Sequence, residues 1–465
     1  MNSIVSVIAM KKLNIQFLGA AGTVTGSKFL VETDHLNILI DCGFFQGLKE
    51  LRLKNWEDLP VNVSKIDYVL LTHGHLDHTG YLPRLISQGF KGVILGNAPT
   101  LEIAEIILKD TARIQEEEAE KANKEGFSKH HPALPLYTLK DAEETLTFFR
   151  IFQSGEWNEL GEKVKFRHRL GGHILGAGFI ELEVDGKLLL FSGDLGRQED
   201  LLLNAPEKPE WADFLFLEST YGDRLHPEEN VEKILGDNIR DMIYENGIML
   251  IACFAVERLQ LISYLLWKMF QKNQIPNVPI YIDSPMGVDV TELFGNFQHF
   301  HKVENSEFSA MKNHFELVSS YKRTWEIIDE QRPRIVLAGS GMLSGGRILT
   351  YLSKFIDKPN TRLVLTGYQA EGTRGRKIEE GAEEIKIWGK YYEVKAKLVK
   401  IESLSAHADQ KELLDWSKNI KNIPEKVFLV HGEKNAATTL KSRLEVENNW
   451  KVRIPELYEK INLFP

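Results

Sequence analysis

Residues 69–80 read VLLTHGHLDHTG: an apolar run ends, and His73, His75, Asp77 and His78 follow within six positions. In an extended segment, residues two apart share a side, so His73 and His75 project together from the strand end. Asp77 and His78 come in the turn and face a second point. Imidazole nitrogens and carboxylate oxygens are the donors that suit Zn²⁺, and four of them split two and two fit a pair of ions. Such a site needs further ligands, so the fold must gather other strand ends along one edge of a sheet. Three later segments qualify. "RLGGHILGAG" sets His173 among glycines, where backbone can approach closely. "LLFSGDLGR" puts Asp194 at a strand end, suited to bridging two cations, and "KVFLVHGEK" ends a late strand with His431.

The rest of the chain must supply those strands. "LNIQFLG" (13–19), "SKFLVET" (27–33), "LNILIDCG" (36–43) and "IDYVLLTH" (66–73) are short β-rich runs, and "ADFLFLEST" (212–220) is another. "FIELEVDGKLLLFSGD" (179–194) alternates on either side of Asp185-Gly186, a strong hairpin signal. Residues 101–125 have helical spacing, and their acidic run reads as a solvated face. From about 225 the pattern changes to helices between isolated strands at 247–255, 278–285, 333–341 and 361–368, the mark of a parallel α/β unit. β-rich segments return after about 390. The expected organisation is one α/β domain made of residues 1–220 and 393–465, interrupted by a second α/β domain at 221–392. A chain of 465 residues is too long for one ordinary core, which agrees with two domains.

Charge and cysteine content narrow the setting. With 57 basic against 66 acidic residues, the net charge of −9 argues against non-specific wrapping of nucleic acid, though not against a local basic cleft. Cys42 and Cys253 cannot make a disulfide framework, and two free thiols fit a reducing cytosol. No apolar run reaches the length of a membrane span, and "MNSIVSVIAM" lacks the basic start of a signal peptide. The lysines after Met10 make that residue a second candidate start. The expectation is a soluble cytoplasmic protein with no membrane partner.

The H-x-H-x-D-H motif with a downstream His, Asp and His resembles the metallo-β-lactamase superfamily, and the second half resembles its β-CASP branch, which processes nucleic acids. The resemblance rests on "GAAGTVTGSK" (19–28), "DCGFFQG" (41–47), "THGHLDHTGYLP" (72–83), "GGHILGAG" (171–178), "SGDLGR" (192–197), "LESTYGDR" (217–224), "ACFAVERLQ" (252–260), "GSGMLSGGR" (339–347), "GYQAEGTRGR" (367–376), "SAHADQ" (405–410) and "LVHGE" (429–433). It implies an αββα metallo-β-lactamase sandwich with an inserted parallel-sheet β-CASP domain, and two Zn²⁺. One zinc would be held by His73, His75, His173 and Asp194, the other by Asp77, His78, Asp194 and His431. Asp41 would orient a ligand histidine. Glu218 and His407 match the family's acidic and histidine motifs and would form an oriented general acid, with Asp77 counted among the catalytic groups as well as the ligands.

What the resemblance implies is a zinc-dependent ribonuclease. A metal-bridged hydroxide would attack phosphorus and His407 would protonate the leaving sugar oxygen, giving 5′-phosphate and 3′-hydroxyl ends. A histidine at 431 is similar to the RNA-processing branch, including the pre-mRNA 3′-end endonuclease, whereas DNA-repair members carry an apolar residue there. The resemblance leads to the expectation of the compact two-domain prokaryotic group, and not of the RNase J group or of archaeal relatives with an extra domain. Single-stranded RNA is the expected partner; endonucleolytic against 5′-exonucleolytic action and homodimer formation stay open. Glycine–arginine loops at strand ends, Gly345-Gly346-Arg347 and Gly372-Thr373-Arg374-Gly375-Arg376, are expected to take phosphate oxygens, with Arg258 as a third candidate. The alternatives are a small-molecule hydrolase (lactone, thioester or β-lactam) or a DNA-acting nuclease of the same fold.

Overall fold

The alternation around Asp185-Gly186 closes as a hairpin. Strands Gly178–Val184 and Lys187–Phe191 pair antiparallel, with Asp185 and Gly186 at φ 51° and 80°. That is the left-handed pair of conformations a two-residue turn between twisted strands requires. The hairpin lies inside one of two seven-stranded sheets in a computed structural model that describes residues 12–126 and 130–464. Met10 lies outside the described residues.

The first sheet runs, edge to edge, Lys460–Asn462, Leu13–Phe17, Phe29–Thr33, Asn37–Ile40, Tyr68–Leu70, Val93–Gly96 and Phe149–Ile151. The second runs Val452–Arg453, Lys426–Val430, Phe214–Glu218, Lys187–Phe191, Gly178–Val184, Val164–Leu170 and Trp157–Gly161. Their inward faces meet in a phenylalanine-rich core. Phe191 and Phe216 stack at 4.2 Å, and Phe216 stacks on Phe428 at 5.0 Å, with Phe17 and Phe29 against them. Each buried ring contributes about 1.5–3 kcal/mol. A surface ion pair adds roughly 0–1 kcal/mol, so these contacts fix how the sheets face each other. Helices cover both outer faces: Leu82, Leu101 and Leu108 on the first sheet, Leu413, Trp416 and Leu440 on the second. This is the αββα sandwich that the resemblance implied.

The helix expected over 101–125 spans Ala98–Glu125. Asn97 caps it by accepting from the Thr100 amide, and Gly126 at φ 68° ends it. Its acidic positions Glu116, Glu117 and Glu120 are not buried, as a solvated face requires.

The insertion departs after Phe214–Glu218 and returns before Lys426–Val430, two strands that pair in parallel in the sandwich. Its own sheet is wholly parallel, in the order Glu316–Leu317, Ile280–Asp283, Arg334–Ala338, Ile248–Ala252, Thr361–Leu365 and Lys397–Lys400. Central strands Ile248–Ala252, Arg334–Ala338 and Thr361–Leu365 are buried throughout, because apolar side chains pack on both faces. The boundary expected at 392 needs correction. Lys397–Lys400 pairs with Thr361–Leu365, so the inserted sheet runs to residue 400. A short edge strand with three exposed residues does not reveal from its sequence which sheet it joins.

The two domains share apolar seams. Ile103, Ile107, Ile174, Leu175 and Leu202 of the sandwich pack in one cluster with Val256 and Leu259 of the insertion. A smaller cluster joins Val24 to Met342, Ala370 and Tyr368. Among the described residues, no helix is long and apolar enough to cross a membrane, and both cysteines are buried and unpaired.

Candidate metal centre

The loop that carries the histidine motif leaves strand Tyr68–Leu70 and turns into the short helix Leu76–Thr79. Neighbouring loops hold its backbone. The Ser27 amide donates to the Asp77 carbonyl at 2.8 Å, Cys42 to His78 at 2.7 Å and Phe44 to Leu76 at 3.1 Å. Gly43 packs so tightly that a Cβ there would stand 1.5 Å from the Asp77 carbonyl oxygen, so no other residue fits. The "DCGFF" motif thus has a mechanical meaning: it is the floor under Asp77 and His78.

The structure brings all seven expected ligands together. His73, His75, His173 and Asp194 form one group whose ligand atoms lie within 4.8 Å of one another, and Asp77, His78 and His431 form a second. Asp194 joins them. Its Oδ2 lies 3.6 Å from Nε2 of both His73 and His173, and its Oδ1 lies 3.4 Å from His78 Nε2 and from His431 Nδ1. One carboxylate therefore presents a separate oxygen to each group.

The donors fit cations. His73 Nε2 stands 3.1 Å from His75 Nδ1, His173 Nε2 3.3 Å from His75 Nδ1, and His78 Nε2 3.3 Å from His431 Nε2. Ring nitrogens so arranged, buried, aim lone pairs at one another, and Asp194 Oδ1 has no hydrogen-bond partner. Burial holds His73 and His173 well below the ordinary histidine range, and pushes His75 down to about 4. These three rings are neutral at pH 7, the form that ligates metal. Burial would raise the Asp194 carboxyl, but His431, His78 and His73 hold it well below the carboxylate range. For His78 burial is outweighed by Asp194 and Asp41, which keep it well above the histidine range.

Asp41 lies beneath this cluster at φ 57°. It accepts from the Thr72 amide at 2.8 Å and meets His78 Nδ1 at 2.7 Å, which turns His78 Nε2 toward Asp194. His431 too has positive φ, 48°, and its amide donates to the Ala20 carbonyl. Two polar partners were missed in the sequence. Thr72 Oγ1 bridges Asp41 (2.9 Å) and His73 Nδ1 (3.1 Å), and Thr220 Oγ1 lies 3.2 Å from His431 Nδ1. Each threonine adjoins a motif residue, in "LLTHGH" and "LESTYG", and that adjacency was the available signal.

Glu218 and His407, 189 positions apart, also meet: His407 Nδ1 lies 3.4 Å from Glu218 Oε1. The glutamate is fully buried and its Oε1 also accepts from the Leu195 amide at 2.7 Å, so it is fixed. Burial opposes charge on His407, yet Glu218, with Asp194 and Asp77 behind it, raises its proton affinity above the ordinary value. The His407 ring stands 4.3 Å from that of His173. Asp194, Glu218 and His407 also lie within 4.8 Å as a third acidic–histidine group.

The glycine–arginine loops differ from expectation. Arg347 is not open to a phosphate: its Nη1 pairs with Asp283, its Nη2 donates to the Ser319 carbonyl at 2.9 Å, and its guanidinium covers Tyr321. Arg376 is likewise engaged, by Glu380 at 2.8 Å and the Gln369 carbonyl at 3.0 Å. Thr373 caps the helix that follows it, and Gly372 abuts Gly47 and Leu48 across the domain seam. Gly346 and Gly372 are exposed and Gly345 is partly so, with open space beside Gly345. Sequence reading saw cations at strand ends; it could not see the carboxylates and carbonyls that the fold brings to them.

Residues 21–231 match the metallo-β-lactamase superfamily, 259–378 the Beta-Casp domain and 391–455 the Zn-dependent metallo-hydrolase RNA specificity domain. The chain belongs to the metallo-β-lactamase superfamily, in the branch that carries a Beta-Casp domain. Ribonuclease TTHA0252 of Thermus thermophilus is 35% identical over 430 residues, covering 91% of this chain and 94% of that protein. An RNase J-like protein of Methanocaldococcus jannaschii is 32% identical over 90% of this chain and 92% of its own length. The transcription termination factor FttA of the same organism is 30% identical, and this chain spans 67% of it. In fold alone, a protein of unknown function from Enterococcus faecalis V583 matches over 97% of this chain with a TM-score of 0.50 at 13% identity.

Proposed function

We propose that the chain is a zinc-dependent ribonuclease that hydrolyses single-stranded RNA and leaves 5′-phosphate and 3′-hydroxyl ends. The observation that carries the reading is Asp194, whose two oxygens face two histidine groups, His73 and His173 on one side and His78 and His431 on the other. That arrangement favours two Zn²⁺, held by His73, His75 and His173, by Asp77, His78 and His431, and by Asp194 between them. A bound zinc pair supplies an activated nucleophile at neutral pH and neutralises charge on a phosphodiester.

The chain's own residues do the remaining work. Asp41 fixes the orientation of His78. Glu218 holds His407 through Nδ1 and favours its protonated form, so His407 delivers a proton to the departing 3′-oxygen. Asp77 belongs with the groups that face the attacked phosphorus. The seam closes the inserted domain over the site, and RNA enters where the two domains part. Of the proposed substrate loops, Gly345 has room beside its backbone, and the exposed Gly346 follows it. Arg347, Arg376, Gly372 and Thr373 hold the shape of those loops.

The relatives named as a ribonuclease and an RNase J-like protein support RNA as substrate. The deciding experiment incubates purified, zinc-loaded protein with 5′-capped and uncapped labelled RNA, with nitrocefin and a thioester in parallel. Cleavage of RNA to 5′-phosphate ends is expected. Turnover of the small molecules with intact RNA refutes the reading.

A further inference from the structure

The corner between strand Ile248–Ala252 and helix Arg258–Gln271 carries a buried ion pair that the zinc chemistry leaves unused. Glu257 has φ 69° and ψ −59°, and the Arg258 amide donates to the Val256 carbonyl at 2.9 Å. This is a γ-turn of the rare positive-φ kind. An L-residue stays in that conformation only when its surroundings hold it there, and such residues gather at functional positions.

The side chains are as unusual as the backbone. Glu257 is 2% exposed and Arg258 4%, with Arg258 Nη2 at 3.1 Å from Glu257 Oε2. Arg258 Nε and Nη1, and Glu257 Oε1, have no hydrogen-bond partner. A buried guanidinium with unmatched donors is costly unless something else accepts from it. The arginines of the glycine–arginine loops are not in this state: Arg347 has Asp283, Arg376 has Glu380, and Arg374 donates to the carbonyls of Lys386, Leu343 and Ser344. Arg334, equally buried, leaves only Nε unmatched, its Nη1 and Nη2 donating to the Arg332 and Ile328 carbonyls.

The pair also lies in a telling place. Val256 and Leu259, on either side of it, share one apolar cluster with Ile174 and Leu175, next to His173, and with Ile401 and Leu404, just ahead of His407. Burial pushes the Glu257 carboxyl up to about 8, and both Arg258 and His407 pull it back. Arg258 also acts on the Tyr221 hydroxyl. The corner therefore lies on the insertion's side of the seam, opposite the loops of His173 and His407.

We propose that Arg258 binds a backbone phosphate of the substrate flanking the scissile linkage, through the nitrogens that Glu257 leaves free, and that Glu257 is the positioning residue that aims it. This rests on the ribonuclease reading above. Phosphate is the class of ligand because a guanidinium matches its oxygens in charge and in donor geometry. The phosphate reaches Arg258 as the seam parts.

The test uses the full-length zinc-loaded protein and a single-stranded RNA of about 20 nucleotides, with one linkage at a time replaced by an uncharged methylphosphonate. The variant is Glu257→Gln/Arg258→Met, which removes both buried charges together and so avoids stranding either one. Wild type should show a KM increase of about tenfold or more when one linkage beside the cleavage point is neutralised. The double variant should start with that KM increase, show no further penalty at that linkage, and keep its zinc and most of its kcat. Its salt dependence of RNA binding should fall by about 0.7 in logarithmic slope, the worth of one phosphate contact on a single strand. Wild-type KM in the double variant, or equal penalties at every linkage in both proteins, overturns the proposal. If the double variant does not fold, Arg258→Lys, which keeps the charge and loses the fork, goes through the same panel. A flattened profile at one linkage then supports the proposal, and an unchanged profile overturns it. Wild type that cleaves none of the RNAs refutes the ribonuclease reading itself, and that control is read first.

Discussion

The histidine loops of the sandwich and the glycine–arginine loops of the insertion look alike in sequence: polar clusters at strand ends, punctuated by glycine. They fold into opposite electrostatic states. At the histidine loops, lone pairs converge, with four imidazoles within 3.1–3.6 Å of a nitrogen or oxygen that cannot satisfy them all. At the arginine loops every guanidinium already has acceptors, carbonyls for Arg374 and a carboxylate for Arg347 and Arg376: Asp283 is fully buried and takes Arg347, the Thr324 hydroxyl at 2.6 Å and the Tyr351 hydroxyl at 2.7 Å. The first region is incomplete without a cation, and the second is complete without a ligand. Residue type marks both as candidates, but only unmet valence separates a site from a scaffold.

The sharpest way to break that contrast is at Asp194. Asp194→Ala should abolish RNA cleavage and lose more metal than Asp77→Ala, because its oxygens face both groups; metal analysis of the two purified variants checks it. Equal metal retention in both would mean that Asp194 joins nothing. Next in size is His407. His407→Ala should keep its metal and lose roughly 10²–10⁴ in rate, the worth of a positioned acid. An RNA with sulfur at the bridging 3′-position, whose leaving group needs no proton, should restore much of that rate to His407→Ala and little to His431→Ala. Loss of metal from His407→Ala would instead move His407 into the third acidic–histidine group as a ligand.

Glu218→Gln should act in the same direction more mildly. Glu218 raises the proton affinity of His407, so removing its charge lowers that affinity, and the alkaline limb of the kcat profile should move to lower pH. An unmoved limb would separate the two residues. The arginine loops should respond through stability and not through chemistry. Arg347→Ala leaves Asp283 buried without its cation and should cost about 3–5 kcal/mol in unfolding free energy. Arg376→Ala, on a partly exposed pair with Glu380, should cost less than about 1 kcal/mol. Denaturant titration of both variants measures the difference, and comparable small losses would show that Arg347 is not a scaffold residue.

How much of this was legible in the chain follows from which interactions are local. The hairpin at Asp185-Gly186, the helix that ends at Gly126 and the buried parallel strands are written in periods of 2 and 3.6 and in turn residues. Those signals act within a few residues, so they survive in a linear reading. The candidate metal-binding residues were legible for a different reason. A strand running straight into His73, His75, Asp77 and His78 has little structural reason to exist, and the family resemblance then pointed to His173, Asp194 and His431.

Long-range pairing was not legible. Whether Lys397–Lys400 joins the sandwich or the inserted sheet depends on Thr361–Leu365 lying free at an edge. Whether Arg347 is free depends on Asp283, 64 positions away. That Glu257 and Arg258 are buried together with donors unmatched depends on which loops close over them. Burial and counter-charge belong to the neighbours of a residue in space. The sequence by itself determined which chemistry this protein carries, since donor type and local period are properties of residues. The tertiary structure decided which of those groups still have a bond to make, because that is settled only by what packs against them.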